Sequence, residues 1–364
     1  MTPLAAISAG LAAAALSLGF GEPTSPSPVA ADSLARAAAL SPGELAGERL
    51  IAGWDGDEPP GGLRRLVRSG GIAGVILFDD NVGSRSATRR RLRALQRLAP
   101  KGQGPLLVTV DQEGGLVKRI PGPPGASAAR MGARGTSYAR RQGRRTARTL
   151  RAYGVNVDLA PVLDVARPGG AIATEGRAFG GSPARVIRTG VRGFAGGLRA
   201  GGVATTAKHF PGIGMIATNT DFAGQKVRTS KRLLRRRDER PFAAFSKAGG
   251  ELVMLSLATY TAFSDRPAAM SRKLATGELR RRVGFEGVSI SDALDATAAT
   301  QVGGTKEVAL ATAGAGTDLL LYPDWREARR VRDLLRDGLR RGRLDRREFE
   351  ASAARVLALR DSLR

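Results

Sequence analysis

Apolar and polar positions divide the chain into short runs and longer segments that take turns. Eight apolar, largely β-branched runs recur at 50–52, 74–78, 106–110, 155–165, 203–210, 252–260, 288–294 and 318–322. Each has the composition of a buried strand bounded by turn residues. Between them, at 87–98, 137–153, 183–199, 231–248, 271–283 and 304–314, apolar residues return every three or four positions, which predicts helices. A final helix is expected over 345–363. Ser41, with Glu44 three positions on, is a capping-box pattern that opens a short helix.

Strands alternating with helices argue for parallel pairing through helical crossovers. Eight of them close a barrel, so the expected fold class is α/β, a single-domain (β/α)8 TIM barrel over 41–364. An open doubly wound sheet is the alternative. The glycine pairs Gly70-Gly71 and Gly201-Gly202 precede strands instead of following them, which does not match a dinucleotide-binding turn. Residues 3–20 are continuously apolar and small, and a Pro/Ser-rich stretch follows. Residues 1–40 therefore read as an export signal or anchor with a linker, which places the protein outside the cell or at its envelope; anchoring by 3–20 is the alternative.

Composition changes this picture in two respects. Cysteine is absent, which excludes disulfides and thiolate metal sites. One histidine and scattered carboxylates give no metal-ligand spacing, so neither a metal nor another cofactor is expected. The formal net charge of +25 invites a nucleic-acid reading. Most arginines, however, fall on helical segments, and no zinc-finger, helix-turn-helix or aromatic RNA-binding pattern accompanies them. Nucleic acid is not the expected partner; an anionic cell-wall polymer or membrane headgroups suit the field better.

Candidate chemistry sits at the C-terminal ends of the strand runs, which in a barrel share one rim. The second run ends in LFDDN, the third in VDQEGG, the fourth in APVLDV, the fifth in AKHFPG and the seventh in SISDAL. Asp111, Asp164, Lys208, His209 and Asp292 would thereby gather on one face, a density of charge that a solvated surface does not explain.

The blocks VDQEGGLVKR, NVDLAPVLDV, GRAFG, AKHFPG, PAAMSRKLATGELRRRVGFEGVSISDAL and AGTDLLL, in this order, resemble the signature blocks of glycoside hydrolase family 3, specifically its single-domain β-N-acetylglucosaminidase branch. The resemblance covers residues 42 to 322. It implies that Asp292 is the nucleophile of retaining hydrolysis. Asp111, Arg119, Arg177, Lys208 and His209 match substrate-binding positions, and a carbohydrate is the implied partner.

One departure bears on activity. In the family branch, the loop after KHFPG carries an Asp-Ser-His triplet whose histidine is the general acid/base; here those positions are Asn219, Thr220 and Asp221. An unperturbed aspartate, with a pKa of about 3.9, is protonated only to about one part in a thousand at pH 7. Two expectations follow. One is a retaining enzyme that removes terminal β-linked N-acetylglucosamine from cell-wall-derived or related glycans, with Asp221 as a weakened acid/base. The other is an inactive sugar-binding relative acting at the cell wall.

Overall fold

The computed structural model describes residues 28–363. Eight parallel strands close a barrel: β1 (Leu50–Ala52), β2 (Gly74–Leu77), β3 (Leu107–Val110), β4 (Val157–Asp158), β5 (Ala204–Phe210), β6 (Leu252–Leu255), β7 (Val288–Ala293) and β8 (Leu319–Tyr322). Closure is made by β8 against β1, with Leu50 opposite Leu320 and Ala52 opposite Tyr322. The expected single-domain (β/α)8 barrel is the fold observed.

Because side chains alternate across a strand, the register decides which residues fill the barrel and which meet the helices. Ile51, Leu107, Val157, Ala204, Leu252, Val288, Ile290 and Leu319 pack together as the inner layer. Their neighbours Leu50, Val108, Val253 and Leu320 belong to the larger core under the helices. Counting upward in twos from the inner layer leads from Leu107 to Asp111, from Ala204 to Lys208 and from Ile290 to Asp292. The apolar alternation that builds the core thus also aims three charged side chains at the barrel mouth.

Helices α1 (Pro28–Ala39), α2 (Pro42–Gly47), α3 (Gly61–Arg68), α4 (Arg85–Gln96), α5 (Ala128–Arg134) and α6 (Thr136–Tyr153) precede or wrap the first half of the barrel. A helical run over 183–200 contains a π-helical stretch, Ile187–Ala195. The expected capping box opens α2: the Ser41 hydroxyl accepts from the Glu44 amide at 3.3 Å, and the Glu44 carboxylate accepts from the Ser41 amide at 3.0 Å. The last helix, Arg346–Ser362, closes the barrel floor, where Val356 and Leu359 join the inner apolar layer. Arg360, fully buried, pairs with Glu48 and donates to the Pro105 and Gly104 carbonyls at 2.9 and 3.1 Å.

Three expectations about extent need correction. The fourth run pairs as a ladder only at Val157 and Asp158, because Pro161 lacks the amide that would continue it; contact with β5 resumes as a bridge between Val162 and Lys208. The sixth run stops at Leu255, since the Ser256 hydroxyl takes the Ala258 amide at 2.8 Å, and Thr259–Tyr260 pairs with Lys226–Val227 instead. The expected linker does not reach residue 40. Its alanine-rich end forms α1, which buries Ser33 and Ala37, with Arg36 paired to Asp361 of the last helix. The apolar stretch 3–20 lies outside the described residues, among which no helix is long and apolar enough to cross a membrane.

Candidate active site

The barrel mouth opens into a cavity of about 590 Å³, lined by charged side chains from β3, β4, β5 and β7 or the connections after them, and by the inner-layer residues Ile76, Met254 and Leu321 at its base. Asp111, Arg119, Arg177, Lys208, His209, Asp221 and Asp292 all line it. Asp164 does not; it lies beneath, fully buried.

Lys208 anchors the floor. Its Nζ lies 2.6 Å from Asp111 Oδ1 and 2.7 Å from Glu113 Oε1. Arg177 grips the same Glu113 with two parallel bonds, Nε to Oε2 at 2.9 Å and Nη2 to Oε1 at 2.8 Å, and reaches Glu175 at 3.2 Å. Burial alone would push the Glu113 carboxyl up, but the charges of Lys208 and Arg177 outweigh it and bring it down to about 2. Burial likewise opposes the charge on Lys208, and Asp111 and Glu113 reverse that, holding the ammonium above its ordinary value. The outcome is a charged, nearly water-free centre of Glu113, Lys208 and Arg177, beside which Asp111 bonds Lys208 through Oδ1 and has its other oxygen for a ligand.

Glu113 and Glu175 went unmarked in the sequence. Glu113 had a signal: in an extended chain it lies two residues past Asp111 and so shares its side. Glu175 had none, because it caps a four-residue helix in a long connection.

His209 is fixed by the buried carboxylate below it. Its Nδ1 lies 2.8 Å from Asp164 Oδ2, while the amides of His209 and Ile213 donate to Asp164 at 3.3 and 2.8 Å. That partner at Nδ1 leaves Nε2 for the cavity. Arg119, at the rim, is drawn toward Asp79 at 3.1 Å.

Asp292 stands at the end of β7, and its Oδ1 accepts the Ala293 amide at 2.9 Å. Opposite is the loop carrying Asn219, Thr220 and Asp221. It docks on the start of the helix Thr297–Thr300, where the Asp221 and Thr220 carbonyls each accept, at 3.3 Å, from the Thr297 and Ala298 amides. Crowding of the Asp221 carboxyl by the mouth raises its pKa, and the negative charge of Asp292 raises it further. His209, Arg177 and a 2.9 Å bond from the Asn219 amide act the other way. The negative charge of Asp292 thus reaches Asp221 across the cavity.

Comparison with known proteins gives a consistent answer. Residues 57–359 match the family model described as the glycosyl hydrolase family 3 N-terminal domain. An uncharacterized secreted glycosyl hydrolase of Arthroderma benhamiae is 36% identical over 329 residues, 87% of this chain and 93% of that one. A beta-hexosaminidase of Xanthomonas oryzae pv. oryzae is 33% identical over 283 residues, 75% of this chain and 82% of that one. Among solved structures, a glycoside hydrolase family 3 beta-N-acetylglucosaminidase from a Paenibacillus strain superposes with a TM-score of 0.84 at 30% identity, over 89% of this chain and 63% of that one. This chain thus spans under two thirds of the Paenibacillus protein. Beta-N-acetylhexosaminidase from Beutenbergia cavernae superposes with a TM-score of 0.80 at 28% identity, over 88% and 98%.

Proposed function

The chain belongs to glycosyl hydrolase family 3, and on that premise we propose that it is a retaining β-N-acetylhexosaminidase that removes terminal N-acetylglucosamine from glycans of cell-wall or related origin. Asp292 attacks the anomeric carbon as the glycosidic oxygen takes a proton from Asp221 and departs. Water, deprotonated by the same Asp221, then displaces the sugar from Asp292. Asp111 accepts sugar hydroxyl protons, and Lys208, His209, Arg177 and Arg119 donate or shape the pocket around the ring. The similarity to a secreted relative supports export.

The observation that carries this reading is that Asp292 and Asp221 face one mouth, where the charge of Asp292 helps to hold a proton on Asp221. A carboxyl raised by burial and a like charge is suited to donate a proton; an opposing carboxylate is suited to attack. The second reading, sugar binding without turnover, is favoured by one contact: the Asn219 amide at 2.9 Å stabilises Asp221 in its ionised, non-donating form.

Hydrolysis of an aryl N-acetylglucosaminide decides between them. The wild type turns it over, Asp292→Asn loses at least about a thousandfold, and azide restores rate to Asp221→Ala. Saturable binding of N-acetylglucosamine with no cleavage at any pH selects the second reading. Unchanged turnover in Asp292→Asn overturns the assignment of the nucleophile.

A further inference from the structure

The positive charge is not spread evenly. From residue 81 to 220 the chain has 24 lysines and arginines but only five acidic residues, Asp111, Glu113, Asp158, Asp164 and Glu175. All five lie at or beneath the barrel mouth, none on an outer helix. Helices α4, α5, α6 and the run 183–200 are therefore acid-free, and they pack side by side along one flank of the barrel. On α6 the exposed arginines Arg140, Arg141, Arg144, Arg145, Arg148 and Arg151 form no ion pair among the described residues. The helix Trp325–Arg340 is also arginine-rich, but it carries Glu327, Asp333 and Asp337 among its arginines and part of its charge is paired, as in Arg330 with Glu327 and Arg336 with Asp333. Most of the net charge of +25 thus comes from 81–220, where 24 basic residues less five acidic ones leave +19.

The chemistry of that face limits what it can hold. Guanidinium groups recognise phosphate oxygens in bidentate fashion. Residues four apart on a helix rise about 6 Å along the axis, so Arg140, Arg144 and Arg148 make a row that offers successive partners to one extended chain. The large exposed apolar side chains among the described residues, Leu34, Leu116, Phe222, Leu233 and Val302, all lie off this flank. It therefore lacks the apolar anchors of a protein interface or of a helix that inserts into lipid. Of the two tyrosines on α6, Tyr153 is buried, and Tyr138 has Arg134 and Arg141 over its ring at 4.5 and 5.9 Å, which compete with a base for stacking.

We propose that this flank docks a flexible, base-free phosphodiester polymer, a polyol-phosphate or sugar-phosphate chain. The surface reads the spacing of phosphates and nothing else on the chain. It is separate from the barrel mouth, so binding of the polymer leaves the pocket open.

The test uses the full chain, a glycerol-phosphate polymer, single-stranded DNA with the same number of phosphates, and vesicles of anionic phospholipid. Two variants remove equal charge: Arg141, Arg144, Arg145 and Arg148 to Gln on α6, and Arg329, Arg340, Arg341 and Arg343 to Gln on and after the helix Trp325–Arg340, which packs against α2 and α3; all are exposed in the native protein. Thermal melts confirm that both fold. At about 0.15 M salt the glycerol-phosphate polymer is expected to bind more tightly than DNA or vesicles. The α6 variant then loses about tenfold or more and the control stays within about twofold. The slope of log affinity against log salt falls by about 0.7 for each phosphate contact removed. Equal losses in the two variants would reduce the effect to net charge and overturn the proposal. So would tighter binding of DNA or vesicles, or no binding of the polymer at that salt.

Discussion

Glu113 is walled off from water and still carries a full charge, because Lys208 and Arg177 meet it at 2.7 and 2.8 Å. Its folded pKa of about 2 lies below its ordinary value of 4.5. The stabilisation it gives is therefore complete above about pH 4.5 and is lost as pH falls toward 2, a difference of about 3 kcal/mol. Urea titrations at pH 7, 4.5 and 3 will show this loss in the wild type and a flatter dependence in Glu113→Gln. That variant is also expected to be less stable at pH 7 by about 3–5 kcal/mol, since two buried cations lose their shared partner.

Asp221 has the opposite sign. Its pKa is raised, by burial and then by Asp292, so it keeps a proton to higher pH than an ordinary aspartate and acid catalysis fails as pH rises through that value. The amide of Asn219 pulls the pKa down through its 2.9 Å bond. Asn219→Ala is accordingly expected to move the descending limb of the pH–rate profile to higher pH, which aryl glycoside kinetics across pH 4 to 8 will reveal. A limb that moves to lower pH would contradict this account of the contact.

At the scale of elements, the strands were legible and their ends were not. Eight β-branched runs announced eight strands, because burial on both faces demands such residues whatever the neighbours. The truncation of β4 at Asp158 and of β6 at Leu255 depended on a proline and a serine hydroxyl that local pattern does not weigh. Helix α1 does not stand out from a linker in the sequence because its packing partner is the helix Arg346–Ser362, more than three hundred residues away. Lys208 and Asp292 are legible as rim residues from their strand runs alone, whereas the grip of Lys208 and Arg177 on Glu113 joins β5 to the connections after β3 and β4 and appears only on closure. The buried pair Arg360 and Glu48 ties the last helix to the barrel floor. Arg360→Met should cost about 3–5 kcal/mol by leaving Glu48 alone, and adding Glu48→Leu should recover part of that in denaturant titrations.

For the whole molecule, a net charge of +25 works against compactness, because like charges on one flank repel. Added salt screens that repulsion over about 10 Å at 0.1 M. The melting midpoint is therefore expected to rise by a few degrees, about 2–5 °C, between about 20 mM and 300 mM sodium chloride in a scanning fluorimetry series. The quartet on α6 changed to glutamine should flatten that rise.

The acid-free helices run lengthwise along the cylinder, while the Asp292 opening is at its top. A cylinder resting on its side keeps its open end clear. Held by its flank to a negatively charged layer, the protein would present the opening sideways, free to admit chain ends that project from its surroundings and blocked by nothing beneath it.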